Sequence, residues 1–230
     1  MEPKRISLKK LTIKAHSILF IKQLETGLLI GFVLSTLALA FMPGPDNIYV
    51  LTESVSRGWR QGIGITCGLI SGVLIHTTLV ATGLSILVFD YPIIYNILKY
   101  AGAAYLLYMA YGAIRESPIT ISEVEKGLHA SFWKLFRKGF VMNVLNPKVT
   151  LFFIVLLPQF VTKNGWSPWM QMMILGLIFM IVSFPVFAGI AILAGKMTLL
   201  VKSDRFWKIT KWIKVIVLIA LAGLMVMSDV

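Results

Sequence analysis

An uncharged apolar run that begins at Gly27 ends at Met42, where the chain continues Pro43-Gly44-Pro45-Asp46-Asn47. No other stretch restricts the fold as much. Crossing roughly 30 Å of hydrocarbon takes about 20 apolar residues, and this run supplies sixteen. Two prolines then remove two backbone donors and fix φ, while Gly44 adds freedom. The carbonyls orphaned in this way need partners other than lipid. Non-helical backbone at membrane depth is tolerated only where it is buried in protein or lines a cavity. Ile48, Leu51 and Val55 resume helical spacing up to Arg57-Gly58, so a second half-helix follows rather than a loop. Two readings stay open: a proline kink that leaves Asp46 at the aqueous interface, or a polar binding element.

Composition sets the class of protein. Hydrophobic residues make up 57% of the 230 and charged residues 14%, with a mean hydropathy of +0.83, against about 25% charged in soluble chains. This is the balance of an all-α polytopic membrane protein. The length accommodates about six spans and no separate soluble domain. The net charge of +12 does not indicate nucleic acid, because the basic residues sit in loops beside apolar spans, where they orient a chain against anionic headgroups. Cys67 is the single cysteine, so no intrachain disulfide or thiol pair is expected.

In order, residues 1–23 form a basic tail carrying Lys4, Arg5, Lys9, Lys10, Lys14 and Lys22. No small-residue cleavage site follows it, and removal is not expected. A single transmembrane domain occupies residues 24–228, with spans at about 24–42, 63–88, 93–114, 139–161, 168–195 and 209–227. Within the second span Gly64, Gly68, Gly72 and His76 recur every fourth residue on one face, the small-xxx-small pattern of a packing seam. His76 is either bonded to a neighbouring helix or a carrier of protons or substrate. Tyr105 and Tyr108 offer hydroxyls inside the third span, with sheltered packing as the plainer reading. The fourth span contains Asn143-Val144-Leu145-Asn146-Pro147-Lys148, a second proline-centred polar break. A lysine at mid-membrane costs about 2.5–3.5 kcal/mol, so Lys148 either has partners or snorkels to the surface. Ser183 and Pro185 are expected to bend the fifth span.

Loops after the first, third and fifth spans carry thirteen Lys and Arg, whereas those after the second and fourth carry one. This census places the odd-numbered loops in the cytoplasm and both termini outside, against the charge of the tail. Breaks in the first and fourth of six spans suggest two inverted three-helix repeats, a plan of secondary transporters whose sites lie where discontinuous helices meet.

Three ordered motifs carry a resemblance: Pro43-Gly44-Pro45-Asp46-Asn47; Ser56-Arg57-Gly58-Trp59-Arg60-Gln61-Gly62 with its glycine-striped span; and Gly139 to Lys148 leading to Leu157-Pro158-Gln159-Phe160. Together they resemble the LysE/RhtB family of amino-acid exporters over residues 24–227. That resemblance implies a bacterial inner-membrane protein exporting amino acids or close derivatives from the cytoplasm, by antiport with protons. It also implies a site with Pro43, Gly44, Pro45, Asp46 and Asn47 on one wall and Asn143, Asn146, Pro147 and Lys148 on the other. Freed backbone amides with Lys148 suit a substrate carboxylate, and Asp46 with broken-helix carbonyls suits an ammonium. Asp46 is also the leading proton carrier, with His76 as a second candidate, since a partly buried carboxylate beside a charged neighbour is a group whose protonation a membrane site can tune. An Asp46–Lys148 pair is the structural alternative.

A membrane-embedded enzyme is the main rival from another class. The chain has no HExxH or G-x-S-x-G pattern, and His16, His76 and His129 are dispersed, so neither enzymatic activity nor a cofactor is expected. Metal-ion efflux on the same fold would favour clustered thiolate or imidazole ligands, and no such cluster is present. A neutral or small polar substrate is preferred, because only Glu25 and Glu53 join Asp46 near the spans. The number of copies in the assembly, one or a homo-oligomer, is left open.

Overall fold

The structure, a computed structural model, describes residues 26–42, 44–84, 92–115, 130–162, 166–201 and 203–227, and among these every regular element is helical. Helix α1 spans Thr26–Phe41 and stops at the proline break. Pro45 then opens α2, Pro45–Arg57, at a position where the missing N–H costs nothing. Gly58 ends α2 with φ of +92°, a conformation that favours glycine, and α3 starts at the next residue, Trp59–Leu79. It continues into a π-helical turn, Val80–Leu84. Helix α4 is Pro92–Arg115, α5 is Phe132–Val144 and α6 is Pro147–Leu151. The chain after α6 winds on through a π-helical turn, Phe152–Leu156, and a 3₁₀ turn, Leu157–Phe160. Helices α7, Pro168–Val201, and α8, Asp204–Met227, complete the bundle.

Three stretches, Trp59–Gly83, Pro168–Ala194 and Trp207–Met227, are long and apolar enough to cross a membrane singly. Two helix pairs are long and apolar enough together, each bent at its break: α1 with α2 at 55°, and α5 with the segment after Pro147 at 50°. Helix α4 has 24 residues, enough for a crossing, with Lys99 and five tyrosines interrupting its apolar sequence. The chain is a multi-pass membrane protein.

Helix α3 packs along α5 on one side and α7 on another, α7 carries α1 and α2, and α4 lies against α8. Exchanging α1–α4 for α5–α8 maps this pattern onto itself: α3 meets the broken pair α5 and α6 as α7 meets the broken pair α1 and α2. Close backbone approach holds α3 to α5. A methyl added at Gly68 would strike the Phe136 carbonyl, one at Gly139 would strike the Ile65 carbonyl, and one at Gly64 would meet Leu135 at 3.4 Å. Beneath the breaks, Phe32, Phe152, Phe153 and Phe179 form an aromatic cluster joining α1, the turn after α6 and α7, with centroid separations of 5.0 Å for Phe153–Phe179 and 6.1 Å for Phe32–Phe152. At one end of the bundle the Ala130 N–H donates to Gln61 Oε1 at 3.2 Å, Lys211 Nζ donates to the Ile114 carbonyl at 2.8 Å, and Trp207 packs with Leu51, Val55 and Ala194. The ends reached by the three odd-numbered loops therefore gather on one side.

Several boundaries differ from the sequence expectation. Trp59 to Gly62 are the first turn of α3 rather than a loop, because Gly58 alone makes the reversal. Phe132 to Arg137, which precede the fourth span expected from about 139, are the start of α5, and α8 begins at Asp204 instead of 209. Helix α7 continues through Pro185, and the Ser183 hydroxyl is buried without a hydrogen-bond partner. The basic tail, Glu25, His16 and His129 lie outside the described residues.

Candidate functional site

In a continuous helix the Leu39 carbonyl would accept from the N–H of residue 43, which is proline and has none. The other half of the molecule answers this deficit. Lys148 Nζ donates to the Leu39 carbonyl and to the Met42 carbonyl, each at 3.3 Å, and Asn47 Nδ2 donates to the Ala40 carbonyl at 2.8 Å. The broken end of α1 is thus satisfied by one side chain from across the bundle and one from the half-helix that follows. Gly44 makes room: a methyl on it would sit 3.3 Å from Lys148 Nζ.

The second break is built the same way with different residues. Asn146 caps α6, its Oδ1 accepting the Lys148 N–H at 3.0 Å, while its Nδ2 donates to Asp46 Oδ2. One amide thereby ties the two half-helix starts together. Gly44-Pro45-Asp46 and Asn146-Pro147-Lys148 hold matching places, cap, first and second residue, in α2 and α6. A carboxylate there is favoured by its own helix dipole and an ammonium is opposed by it. Lys148 gains instead from the carbonyl end of α1, where the dipole is negative. The Asn143 carbonyl, at the C-terminal end of α5, accepts from the Asn146 N–H at 2.9 Å and lies 3.1 Å from His76 Nε2. Since a carbonyl only accepts, His76 donates from Nε2.

Asp46 is 3% exposed, Asn143 5% and Lys148 9%, so Lys148 does not snorkel. No direct ion pair closes between Asp46 and Lys148, whereas Glu53 and Arg57, further along α2, do form one. Asp46, Lys148 and Asn143 line a cavity of about 20 Å³ whose other walls are Leu39, Ala40, Leu69, Ile70, Val73, Val149, Phe179 and Phe187. That volume holds about one water, less than any amino acid. Asn143 Oδ1, which a methyl added at Gly72 would meet at 2.8 Å, and Asn47 Oδ1 are buried acceptors without a partner.

The structure therefore brings Gly44, Asp46, Asn47, Asn143, Asn146 and Lys148 together, with Pro45 and Pro147 opening the two half-helices; Pro43 lies outside the described residues. Gly64 and Gly68 sit on the α3–α5 seam, and Gly72 and His76 end it beside Asn143. Tyr108 is 69% exposed and Tyr105 packs beside it on α4, away from the cavity. The apolar walls carried no sequence signal, except that Phe179, Ser183 and Phe187 recur every fourth residue about Pro185.

A family model described as LysE type translocator matches residues 37–229. A homoserine/homoserine lactone efflux protein of Salmonella typhimurium is 32% identical over 185 residues, covering 77% of this chain and 85% of that one. An uncharacterized membrane protein of Pseudomonas aeruginosa is 31% identical, covering 71% and 80%, and a leucine efflux protein of Salmonella choleraesuis is 28% identical, covering 66% and 72%. No solved structure gives a significant match.

Proposed function

The chain belongs to the LysE type translocator family, and from that premise we propose that it exports neutral amino acids or close derivatives from the cytoplasm across the inner membrane, exchanging them for protons at the meeting point of its two broken helices. One observation carries the reading: Lys148 of one break rests on the carbonyls freed at the other, beside Asp46 and a cavity that both residues line. A zwitterion needs an acid, a base and polar backbone in one water-poor place, and the paired breaks supply all three. The relatives named for homoserine and leucine efflux support a neutral substrate, and Leu69, Ile70, Val73, Phe179 and Phe187 offer its side chain an apolar wall. Since the cavity is smaller than an amino acid, loading a substrate requires the two breaks to separate. Odd-numbered loops face the cytoplasm in this reading, with both termini on the other side.

Inverted vesicles given labelled leucine or homoserine, with a proton gradient imposed or collapsed, test the assignment. Gradient-dependent accumulation is expected in the parent and is lost in Asp46→Asn with normal insertion. Accumulation unchanged in Asp46→Asn makes the carboxylate structural, and no accumulation of any amino acid refutes the export reading.

A further inference from the structure

We propose that the Leu39 and Met42 carbonyls form a seat for a primary ammonium, which Lys148 occupies and surrenders to the α-ammonium of the substrate. Four observations converge on it. The seat's carbonyls stand at the negative end of α1, and proline removes the donor that Leu39 would otherwise have. The occupant is a buried ammonium whose place at the second residue of α6 is opposed by its own helix dipole, so the reach across the bundle is what holds it. Gly44 leaves open the space against Nζ that a methyl would crowd. Beside the seat, the cavity is also lined by Asn143, whose Oδ1 is a buried acceptor without a partner.

A tethered cation cannot diffuse away, so the empty site closes without an external ion. An incoming amino acid brings its own ammonium, and the displaced Lys148 Nζ then meets the substrate carboxylate. Filling the seat and recognising the carboxylate are successive tasks of one side chain. The inference rests on the export reading only for the identity of the second ammonium.

Removing the tether exposes the seat to small ions. Purified full-length Lys148→Ala in lipid nanodiscs is melted with methylammonium, sodium or tetramethylammonium chloride at equal concentration. Methylammonium is expected to raise the melting temperature by several degrees, while sodium and tetramethylammonium, which lack N–H donors, do not, and the parent responds to none because its seat is filled. An equal response to all three salts, or none by the folded variant, overturns the proposal. Should Lys148→Ala fail to accumulate, Lys148→Gln keeps a neutral donor for the two carbonyls. Selective stabilisation of this variant by methylammonium supports the seat, and parent-like melting without response shows that any donor suffices and overturns it. Selective stabilisation alongside a parent that moves no amino acid leaves the seat standing and removes the substrate assignment.

Discussion

Exchanging Asn146 for aspartate changes one atom of the site. The new side chain keeps its size and the oxygen that caps the Lys148 N–H at 3.0 Å, but it replaces the Nδ2 that donates to Asp46 Oδ2 with a second carboxylate oxygen. A buried hydrogen bond to a charged group contributes about 1.5–3 kcal/mol. For a chain of this size, each kcal/mol moves the melting temperature by about 2–4 °C, so Asn146→Asp is expected to melt about 3–12 °C below the parent in nanodiscs. The reciprocal double variant, Asp46→Asn with Asn146→Asp, puts the donor on α2 and the acceptor on α6 and restores the bond. It is expected to melt within about 2 °C of the parent, a coupling of the size that contacting residues show. A double variant that loses the sum of the two single losses would refute the bridge between the half-helices. Transport by the same protein separates two roles for the carboxylate. A stable double variant that accumulates no amino acid places the chemistry on α2, whereas a stable, active one makes the pair a structural tie.

Two other consequences follow from the geometry. Gly68→Ala drives a methyl into the Phe136 carbonyl, backbone that no rotamer can move aside, and overpacking of this kind costs about 1–3 kcal/mol; Gly223→Ala, with nothing within 4 Å, is the control and leaves the melting curve in place. His76→Gln retains an N–H donor for the Asn143 carbonyl and is expected to keep gradient-driven uptake, so uptake that becomes independent of the proton gradient in this variant would show that the imidazole carries protons.

The two breaks were legible because proline acts locally: Pro43, Pro45 and Pro147 announce lost hydrogen bonds wherever the helix lies. Asp46 and Lys148 stood out for a similar reason, as charges in apolar runs. Their bonding was not legible, since a hydrogen bond from residue 148 to residue 39 depends on how the halves pack, and sequence spacing is silent on that. Asn146 had been placed on the wall of the site, yet its two-sided role, capping α6 while holding Asp46, belongs to the assembled pair. The starts of α3, α5 and α8 were missed because Trp59, Arg60, Trp133, Lys134 and Arg137 suit both a membrane-surface loop and the first turns of a helix. Leu69 and Val73 gave no warning because helices apolar on every side do not mark the face that lines a cavity.

The crossing of Lys148 to Leu39 and Met42 also governs how the chain is made. A ribosome releases the first break about a hundred residues before it adds the lysine that completes it, several seconds at roughly 5–20 residues per second. Through that interval the nascent first half holds bare carbonyls inside the bilayer, a state that quality-control proteases can recognise. A chain truncated before residue 148 never leaves that state, so loss of the second half is expected to end in clearance of the first.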